Sequence, residues 1–253
     1  MTDATFYNVL LFAWVVFAAV SFVLLFFVTA PYGRHNRSGW GWQIPSSIGW
    51  LVMESPAVIV FGLFFLFGKY SATAASMAFF LLWEIHYVHR TFIFPFRRRA
   101  GYKPMPVLIV LFSGAFNVAN GYFQGYYLFT LAEPYPAQWL IDPRFLIGAF
   151  IFFTGFAINV HSDNTLFSLR KPGETGYKVS TSGLFRWVSA PNYLGEILEW
   201  TGWAFATWSL PGAAFAFWTA ANLIPRAVSN HRWCRQNFPE YPNDRKILVP
   251  FVF

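Results

Sequence analysis

Charged residues and cysteine are both scarce in this chain of 253 residues. Asp, Glu, Lys and Arg make up 11% of the sequence, against about 25% in soluble globular domains. The single cysteine, Cys234, cannot form an intrachain disulfide or a cysteine zinc site. The composition therefore excludes an ordinary soluble domain, a disulfide framework and a cysteine-rich metal fold.

Two common nucleotide-binding motifs are also missing. The sequence contains no G-x-G-x-x-G after a strand and no G-x-x-x-x-G-K-[ST]. These motifs cradle phosphates in Rossmann and P-loop domains, so both domains are excluded as a nucleotide site.

Apolar and aromatic residues dominate instead, at 56% and 22% of the chain. Runs of about 20 apolar residues are long enough to cross a bilayer as helices. We expect one all-α integral membrane domain, residues 1–253, with seven transmembrane helices at 4–30, 47–68, 71–95, 105–131, 144–166, 191–210 and 213–230. Pro211 and Gly212 are expected to separate the last two helices, and Pro225 is expected to kink the seventh.

The distribution of basic residues predicts the orientation of these helices. With seven spans, 16 of the 18 Lys and Arg residues fall in or beside one set of connections: Arg34, Arg37, Arg90, Arg97, Arg98, Arg99, Lys103, Arg170, Lys171, Lys178, Arg186, Arg226, Arg232, Arg235, Arg245 and Lys246. Only Lys69 and Arg144 fall on the other side. Because basic loops stay in the cytoplasm, the N-terminus is predicted outside and the C-terminus inside. Topology alone accounts for this surplus, although it would also suit a phosphorylated ligand.

Ionisable residues within the predicted spans are functional candidates, because burying them in a bilayer is costly. Glu54 lies beside Pro56, which frees a backbone carbonyl and can bend the second span. Its alternative role is a structural pair with an Arg or His of the third span. In that third span, Tyr87 shares a helical face with Arg90. His86 and His89 have the spacing of half a metal site, but no matching pair occurs elsewhere, so we expect no metal.

Three later segments carry polar residues at helical spacing. They are Asn159 and Asp163 in the fifth span, Asn192, Glu196 and Glu199 in the sixth, and Asn222, Arg226 and Asn230 in the seventh. Carboxylates accept from ribose hydroxyls, amides pair with amides, and guanidinium groups bind phosphates. The set therefore suits a ligand with all three groups. The alternative is an internal salt-bridge lattice that holds the helices together.

Together these motifs resemble the membrane steroid 5α-reductases (3-oxo-5α-steroid 4-dehydrogenases), in a bacterial-type form. The resemblance rests on Met53-Glu54, His86-Tyr-Val-His-Arg-Thr-Phe92, Asn120-Gly-Tyr-Phe-Gln-Gly-Tyr-Tyr127, Asn159-Val-His-Ser-Asp163, Leu169-Arg-Lys-Pro-Gly-Glu174, Gly183-Leu-Phe-Arg-Trp-Val-Ser189, Asn192-Tyr-Leu-Gly-Glu196 and Tyr241-Pro-Asn-Asp-Arg-Lys246. One position departs from the pattern, since Met53 stands where the animal enzymes have Gln.

The resemblance implies a monomeric seven-helix enzyme that reduces the Δ4 double bond of 3-oxo steroids or similar lipophilic enones with NADPH. Its membrane would be a bacterial inner membrane or the endoplasmic reticulum, with NADPH bound on the cytoplasmic side. Glu54 and Tyr87 would contact the 3-keto oxygen, in a substrate pocket made mainly by spans one to four. Spans five to seven and the cytoplasmic loops would hold NADPH, at positions that include Asn120, Asn159, Asp163, Arg170, Lys171, Tyr177, Asn192, Glu196, Arg226 and Arg245.

Two other functions stay open from the sequence. The segment from Arg186 to Glu196 is similar, more loosely, to the C-terminal pattern of isoprenylcysteine and phospholipid methyltransferases, which would bind S-adenosylmethionine instead. A non-catalytic seven-helix receptor or lipid-binding protein is the third possibility. Methyl transfer does not need Glu54 and Tyr87, and a lipid binder does not need so many ribose and phosphate partners.

Overall fold

The computed structural model describes residues 2–97, 103–171, 174 and 176–253, and it is 73% helical. The helices are α1 (Asp3–Phe27), α2 (Ser46–Phe67), α3 (Ala74–Val88), α4 (Phe94–Arg97), α5 (Val107–Tyr126), α6 (Pro143–Ser168), α7 (Pro191–Thr207) and α8 (Leu210–Asn237). A π-helical turn, His89–Ile93, joins α3 to α4, and another, Tyr127–Leu131, extends α5. Because α3, the first π-helical turn and α4 form one continuous rod, the described residues form seven helical rods. Arg98, Arg99, Pro172 and Gly173, named above, lie outside the described residues.

Four of these helices are long and apolar enough to cross a membrane: α1, α2, α5 with its π turn, and α6. Helix α1 shows this most clearly, because only Tyr7, Leu11 and Ala18 of its 25 residues are buried. Many of its other apolar side chains, including Phe12 and Phe27, are exposed, as lipid-facing residues are. These helices are those of an integral membrane protein.

Short elements tie the connections to the bundle. Strand β1 (Gln43–Ile44) pairs antiparallel with β2 (Met105–Pro106), which links the segment after α1 to the start of α5. A parallel bridge between Val188 and Lys246 holds the C-terminal segment against the chain that enters α7. Single 3₁₀ turns occur at Gly33–His35, Ala137–Ile141 and Gly183–Arg186.

The break between the last two rods differs from the prediction. It lies at Trp208, whose φ of 45° is left-handed, and not at Pro211 and Gly212. Ser209 caps α8 by accepting a hydrogen bond from the Gly212 N–H at 3.1 Å. Pro211 therefore sits in the first turn, where a missing N–H costs nothing. Helix α8 also continues past Asn230 to Asn237.

The connections gather at two ends of the bundle. At one end, the Arg34 guanidinium contacts the Cys234 Sγ at 3.0 Å, which brings the segment after α1 to the end of α8. At the other end, the Tyr135 hydroxyl donates to the Thr207 carbonyl at 2.7 Å, which joins the segment after α5 to the end of α7. Arg170 lies with Arg34 against the ring of Tyr177, and strands β1 and β2 bring the start of α5 to the segment after α1, so we call this first end the basic end.

Helices α6 and α7 touch backbone to backbone along a row of glycines. A Cβ added to Gly155 would lie 2.3 Å from the Glu199 nitrogen, and one added to Gly202 would lie 2.3 Å from the Phe152 nitrogen. Small residues allow this close approach in membrane helices. The contact fixes how far side chains on one helix can reach toward the other.

This close contact generates a stability prediction. Gly155→Ala should force the α6 and α7 backbones apart and lower the free energy of unfolding by about 1–3 kcal/mol, as overpacking typically does. Gly114→Ala is the matched control, because a Cβ on Gly114 in α5 meets nothing within 4 Å. Thermal unfolding of both variants in the same detergent checks the prediction. Equal melting temperatures for the two variants would contradict it.

Candidate functional site

A cavity of about 680 Å³ opens among α1, α2, α3, α5, α7 and α8, within the range typical of small-molecule sites. Most of its wall is apolar and includes Phe17, Leu24, Leu25, Ile109, Phe112, Phe116, Trp200, Phe215 and Trp218. Five of the polar side chains that line it lie close to one another: Glu54, Tyr87, Arg90, Asn117 and Glu196. The two residues predicted to be catalytic, Glu54 and Tyr87, therefore line the same cavity.

Glu54 is presented from the turn of α2 that contains Pro56. Because proline has no N–H, the carbonyl of Val52 loses its helical partner, and the Ser55 hydroxyl donates to it at 3.2 Å. The helix continues through the proline to Phe67. The local sequence thus compensates the proline while Glu54 faces the cavity.

Asn117 of α5 holds this part of the site together. Its amide donates to the Glu54 Oε2 at 3.1 Å and to the Met53 carbonyl at 2.6 Å. Among the described residues, Glu54 forms no ion pair within 4.0 Å. The structural pair with an Arg or His that the sequence left open is therefore replaced by a neutral amide partner.

Tyr87 is buried, and aromatic rings fix its orientation. Its ring centroid lies 4.7 Å from that of Trp83 and 5.5 Å from that of Trp200. Asn120 is completely buried within reach of the Tyr87 hydroxyl. In the part of the chain that the structure describes, neither polar atom of the Asn120 amide has a well-aligned hydrogen-bond partner. Asn120, predicted to contact the cofactor, thus lies beside Tyr87.

A polar lattice connects the third rod to α6 and α7. Arg90 contacts the Asp163 carboxylate at 3.3 Å and the Glu196 carboxylate at 3.5 Å. The Asn192 amide donates to Asp163 at 3.0 Å, and the Asn159 amide donates to the Asn192 carbonyl at 2.9 Å. Four residues predicted for the cofactor are thus brought together, and they also form the lattice considered as their alternative role. Glu196 and Arg90 in addition line the cavity.

Arg226 is buried at the basic end between α7, α8 and the segment after α1. Its Nε donates to the Tyr193 hydroxyl at 3.2 Å, and its Nη2 donates to the Tyr32 carbonyl at 3.2 Å. The guanidinium carbon lies 3.4 Å from the centroid of the Tyr32 ring, a cation–π contact. Asn230, one turn later on α8, also donates to the Tyr193 hydroxyl at 3.2 Å.

A second group at this end surrounds Tyr177. The guanidinium carbons of Arg34 and Arg170 lie 4.9 and 5.0 Å from its ring centroid, and the Trp233 ring lies 5.2 Å away. Arg170 is buried. Lys171, by contrast, is exposed, so the two neighbouring basic residues predicted for the cofactor have different surroundings.

Arg245 is the third buried guanidinium at the basic end. Its Nη2 donates to the Ser180 carbonyl at 2.8 Å, and its guanidinium carbon lies 4.7 Å from the Tyr241 ring centroid. The Nε of Arg245 is buried and has no hydrogen-bond partner within the described ranges. Neither Arg245 nor Arg226 forms an ion pair with a carboxylate among those residues. Two buried cations are therefore left without a counter-ion.

His35 is a neutral member of the same end. Burial lowers the pKa of His35 to about 4, and the nearby Arg226 and Arg34 guanidinium groups also lower it, against the hydrogen bond to Asn230 at 3.0 Å. The imidazole is therefore uncharged near pH 7. The positive charge here comes from the arginines.

Sequence reasoning did not select three residues that complete these groups, namely Arg90, Asn117 and Tyr193. Asn117 carried a signal, because it is a polar residue within the apolar run 105–131. Arg90 shares a helical face with Tyr87, but its carboxylate partners lie on other helices. Of the described residues, no three His, Cys, Asp or Glu side chains cluster as metal ligands.

Comparison with known proteins identifies the family of this chain. A family described as 3-oxo-5-alpha-steroid 4-dehydrogenase matches residues 103–253. Over 259 aligned positions, the chain is 40% identical to the steroid 5-alpha-reductase DET2 of Arabidopsis thaliana, covering 100% of this chain and 99% of the relative. It is 44% identical to the 3-oxo-5-alpha-steroid 4-dehydrogenase 1 of Homo sapiens, covering 88% and 86% of the two chains. The resemblance seen in the motifs is confirmed, and the chain belongs to the 3-oxo-5-alpha-steroid 4-dehydrogenase family.

Proposed function

We propose that this protein is a membrane enzyme that reduces the Δ4 double bond of a 3-oxo steroid, with NADPH as the hydride donor. The observation that carries the proposal is the placement of Glu54 and Tyr87 together at the wall of one largely apolar cavity. An apolar ring system suits the wall, and a single keto oxygen suits the two acidic side chains. The relatives are named as enzymes of this reaction.

The buried arginines support a phosphorylated cofactor. Arg226 and Arg245 lack a carboxylate partner among the described residues, and the Nε of Arg245 is an unused donor. A buried guanidinium without an anion is costly, and phosphate oxygens are its best-matched partners. NADPH would supply a hydride to the β-carbon of the enone. Arg170, Arg226 and Arg245 would bind its phosphates, while the Asp163, Asn192 and Glu196 lattice would bind hydroxyl and amide groups.

Glu54 and Tyr87 act on the oxygen at the other end of the enone. As the β-carbon gains a hydride, negative charge builds on the keto oxygen, and fixed donors there lower the barrier. The Tyr87 hydroxyl donates directly. Glu54 donates as a carboxylic acid through Oε1, since its Oε2 already accepts from Asn117. Asn117 therefore selects which carboxyl oxygen of Glu54 is left for the substrate.

We further propose that all seven rods span the membrane, with the N-terminus outside and the C-terminus in the cytoplasm. The support is the basic end, where the connections rich in Lys and Arg meet, since such connections remain cytoplasmic. This orientation puts the buried arginines on the side where NADPH is available.

The orientation can be tested with single cysteines in a Cys234→Ala background. Lys103→Cys, at the basic end, should react with an impermeant thiol reagent only when the reagent can reach the cytoplasmic face of the membrane. Ala72→Cys, in the connection before α3, should react from the opposite side. Labelling of both positions from one side would contradict the seven-span arrangement.

The cofactor site can be tested at Arg170. Arg170→Ala should weaken NADPH binding by about 1.5–3 kcal/mol, the value of a hydrogen bond to a charged group. If Arg170 binds the 2′-phosphate, NADH binding should change little. Arg144→Ala is the control, because Arg144 pairs with Asp142 at the opposite end. Unchanged NADPH affinity would remove Arg170 from the site, and S-adenosylmethionine binding in place of NADPH would favour a methyltransferase.

The chemistry can be tested with Glu54→Gln and Tyr87→Phe. Each change removes one acidic donor and keeps the shape, so turnover of a Δ4-3-oxo steroid should fall roughly 10²- to 10³-fold with NADPH affinity near normal. Glu84→Gln and Tyr126→Phe are matched controls, because neither residue lines the cavity. If Glu54 serves only to stabilise the fold, Glu54→Gln should instead lower the melting temperature and NADPH affinity together. Full turnover by a well-folded Tyr87→Phe would refute the mechanism.

A further inference from the structure

One buried ionisable pair has no part in the mechanism described so far. His86 of α3 and Glu199 of α7 meet at 2.8 Å between the histidine Nδ1 and the glutamate Oε1. Their relative exposures are 4% and 0%. The second carboxyl oxygen of Glu199, Oε2, has no hydrogen-bond partner in the described part of the chain. Inside the bundle, the contact with His86 is therefore the hydrogen bond that satisfies the Glu199 carboxyl group.

The imidazole of His86 also belongs to the cavity wall. It lines the same cavity as Glu54 and Tyr87. Its ring is fixed by edge-to-face contacts, with centroid distances of 4.6 Å to Trp200 and 4.9 Å to Tyr87. Because Glu199 engages Nδ1, the nitrogen left for a molecule in the cavity is Nε2.

The charge of the pair determines what Nε2 carries. Burying a net charge costs several kcal/mol, so the pair is most stable when it is neutral as a whole. Three arrangements meet that condition: Glu199 is a carboxylic acid that donates to the bare Nδ1, its carboxylate faces an imidazolium, or Nδ1–H donates to Oε1 of an acid protonated on Oε2. The third is disfavoured, because Oε2 has no hydrogen-bond partner in the described part of the chain and its O–H would be a buried donor without an acceptor. In the other two arrangements Nε2 carries a proton.

The proposed reaction needs such a proton. Reduction of an enone adds a hydride to the β-carbon and a proton to the α-carbon. Glu54 and Tyr87 are engaged at the oxygen, and much of the remaining wall consists of rings such as Phe116 and Phe215, which do not carry exchangeable protons. A side chain at this wall with a proton to give is therefore required, or water must enter.

We propose that His86 is a catalytic acid that protonates the α-carbon, and that Glu199 is the positioning residue that supplies it. The proposal rests on the proposed enone reductase function. When the α-carbon–hydrogen bond forms, the Nε2–H bond breaks and its electron pair stays on nitrogen. If the Glu199 acid donates to Nδ1, its proton moves to Nδ1 in the same step. The pair ends one proton short and regains it from water after product release.

His86→Gln tests this assignment, with His89→Gln as the matched control. His89 lies one turn later, packs on Phe156 and does not line the cavity. Loss of a general acid typically costs about 10²- to 10⁴-fold, so turnover of the steroid by His86→Gln should fall by at least about 10²-fold. Proton delivery should then limit the rate. The solvent isotope effect in D₂O should rise, and the isotope effect from NADPH deuterated at the transferred position should fall.

If His86 has a purely structural role, its replacement should neither raise the solvent isotope effect nor lower the isotope effect from deuterated NADPH. Thermal stability and NADPH affinity of each variant show whether it is folded. If His86→Gln does not fold, Glu199→Gln serves instead, because the amide can still hold the imidazole but cannot release a proton. Its turnover should fall about 10-fold or more with the same rise in the solvent effect.

The outcomes separate the two proposals. If the wild-type protein does not reduce a Δ4-3-oxo steroid, the proposed function fails, and the proposed proton transfer from His86 fails with it. If the wild type is active and a folded His86→Gln keeps full turnover, or loses turnover with unchanged isotope effects, the proton transfer from His86 is overturned while the proposed function stands. A higher solvent isotope effect and a lower NADPH isotope effect in His86→Gln, but not in His89→Gln, support proton transfer from His86.

Discussion

Two carboxylates neutralise the Arg90 guanidinium, which lies among three helical segments with little of its side chain exposed. Its partners are the carboxylates of Asp163 and Glu196, at 3.3 and 3.5 Å, on two other helices. A buried ion pair has little tolerance for displacement, because an unpaired charge costs several kcal/mol. The third rod is therefore held at a fixed depth against α6 and α7. Tyr87, one turn before Arg90, inherits its position at the cavity from this constraint.

The lattice around Arg90 can form because α6 and α7 approach so closely. Asn159 and Asp163 are short side chains, and they can reach Asn192 only across a backbone contact of the kind that Gly155 and Gly195 allow. Larger residues at those positions would separate the helices by more than such side chains can span. The glycines thus serve the site as well as the packing, and the polar contacts in turn give the helices one register.

The sequence predicted which polar side chains lie inside the bundle better than it predicted which of them are in contact. Glu54 and Asp163 were recognisable because an acid in an apolar run has few purely passive roles. Helical spacing also grouped Glu196 with Glu199 on one stripe. In the structure their partners differ, since Glu196 faces Arg90 and Glu199 faces His86. Spacing defines the face of one helix, but the partner depends on the crossing of helices, which no local pattern contains. The break at Trp208 was missed for a similar reason, since nothing local marks its left-handed backbone.

Position 53, next to Glu54, carries the apolar side chain of a methionine. Met53 packs its side chain with Met105 and Val110, and only its backbone carbonyl joins the polar network, as an acceptor from Asn117. A thioether donates no hydrogen bond, so the proposed mechanism assigns the stabilisation of a keto oxygen to Glu54 and Tyr87. Asn117 is then the residue that couples positions 53 and 54, because one amide holds both the backbone at Met53 and the carboxyl at Glu54. In the proposed mechanism, methionine in place of Gln at position 53 would therefore leave both hydrogen-bond donors, Glu54 and Tyr87, in place.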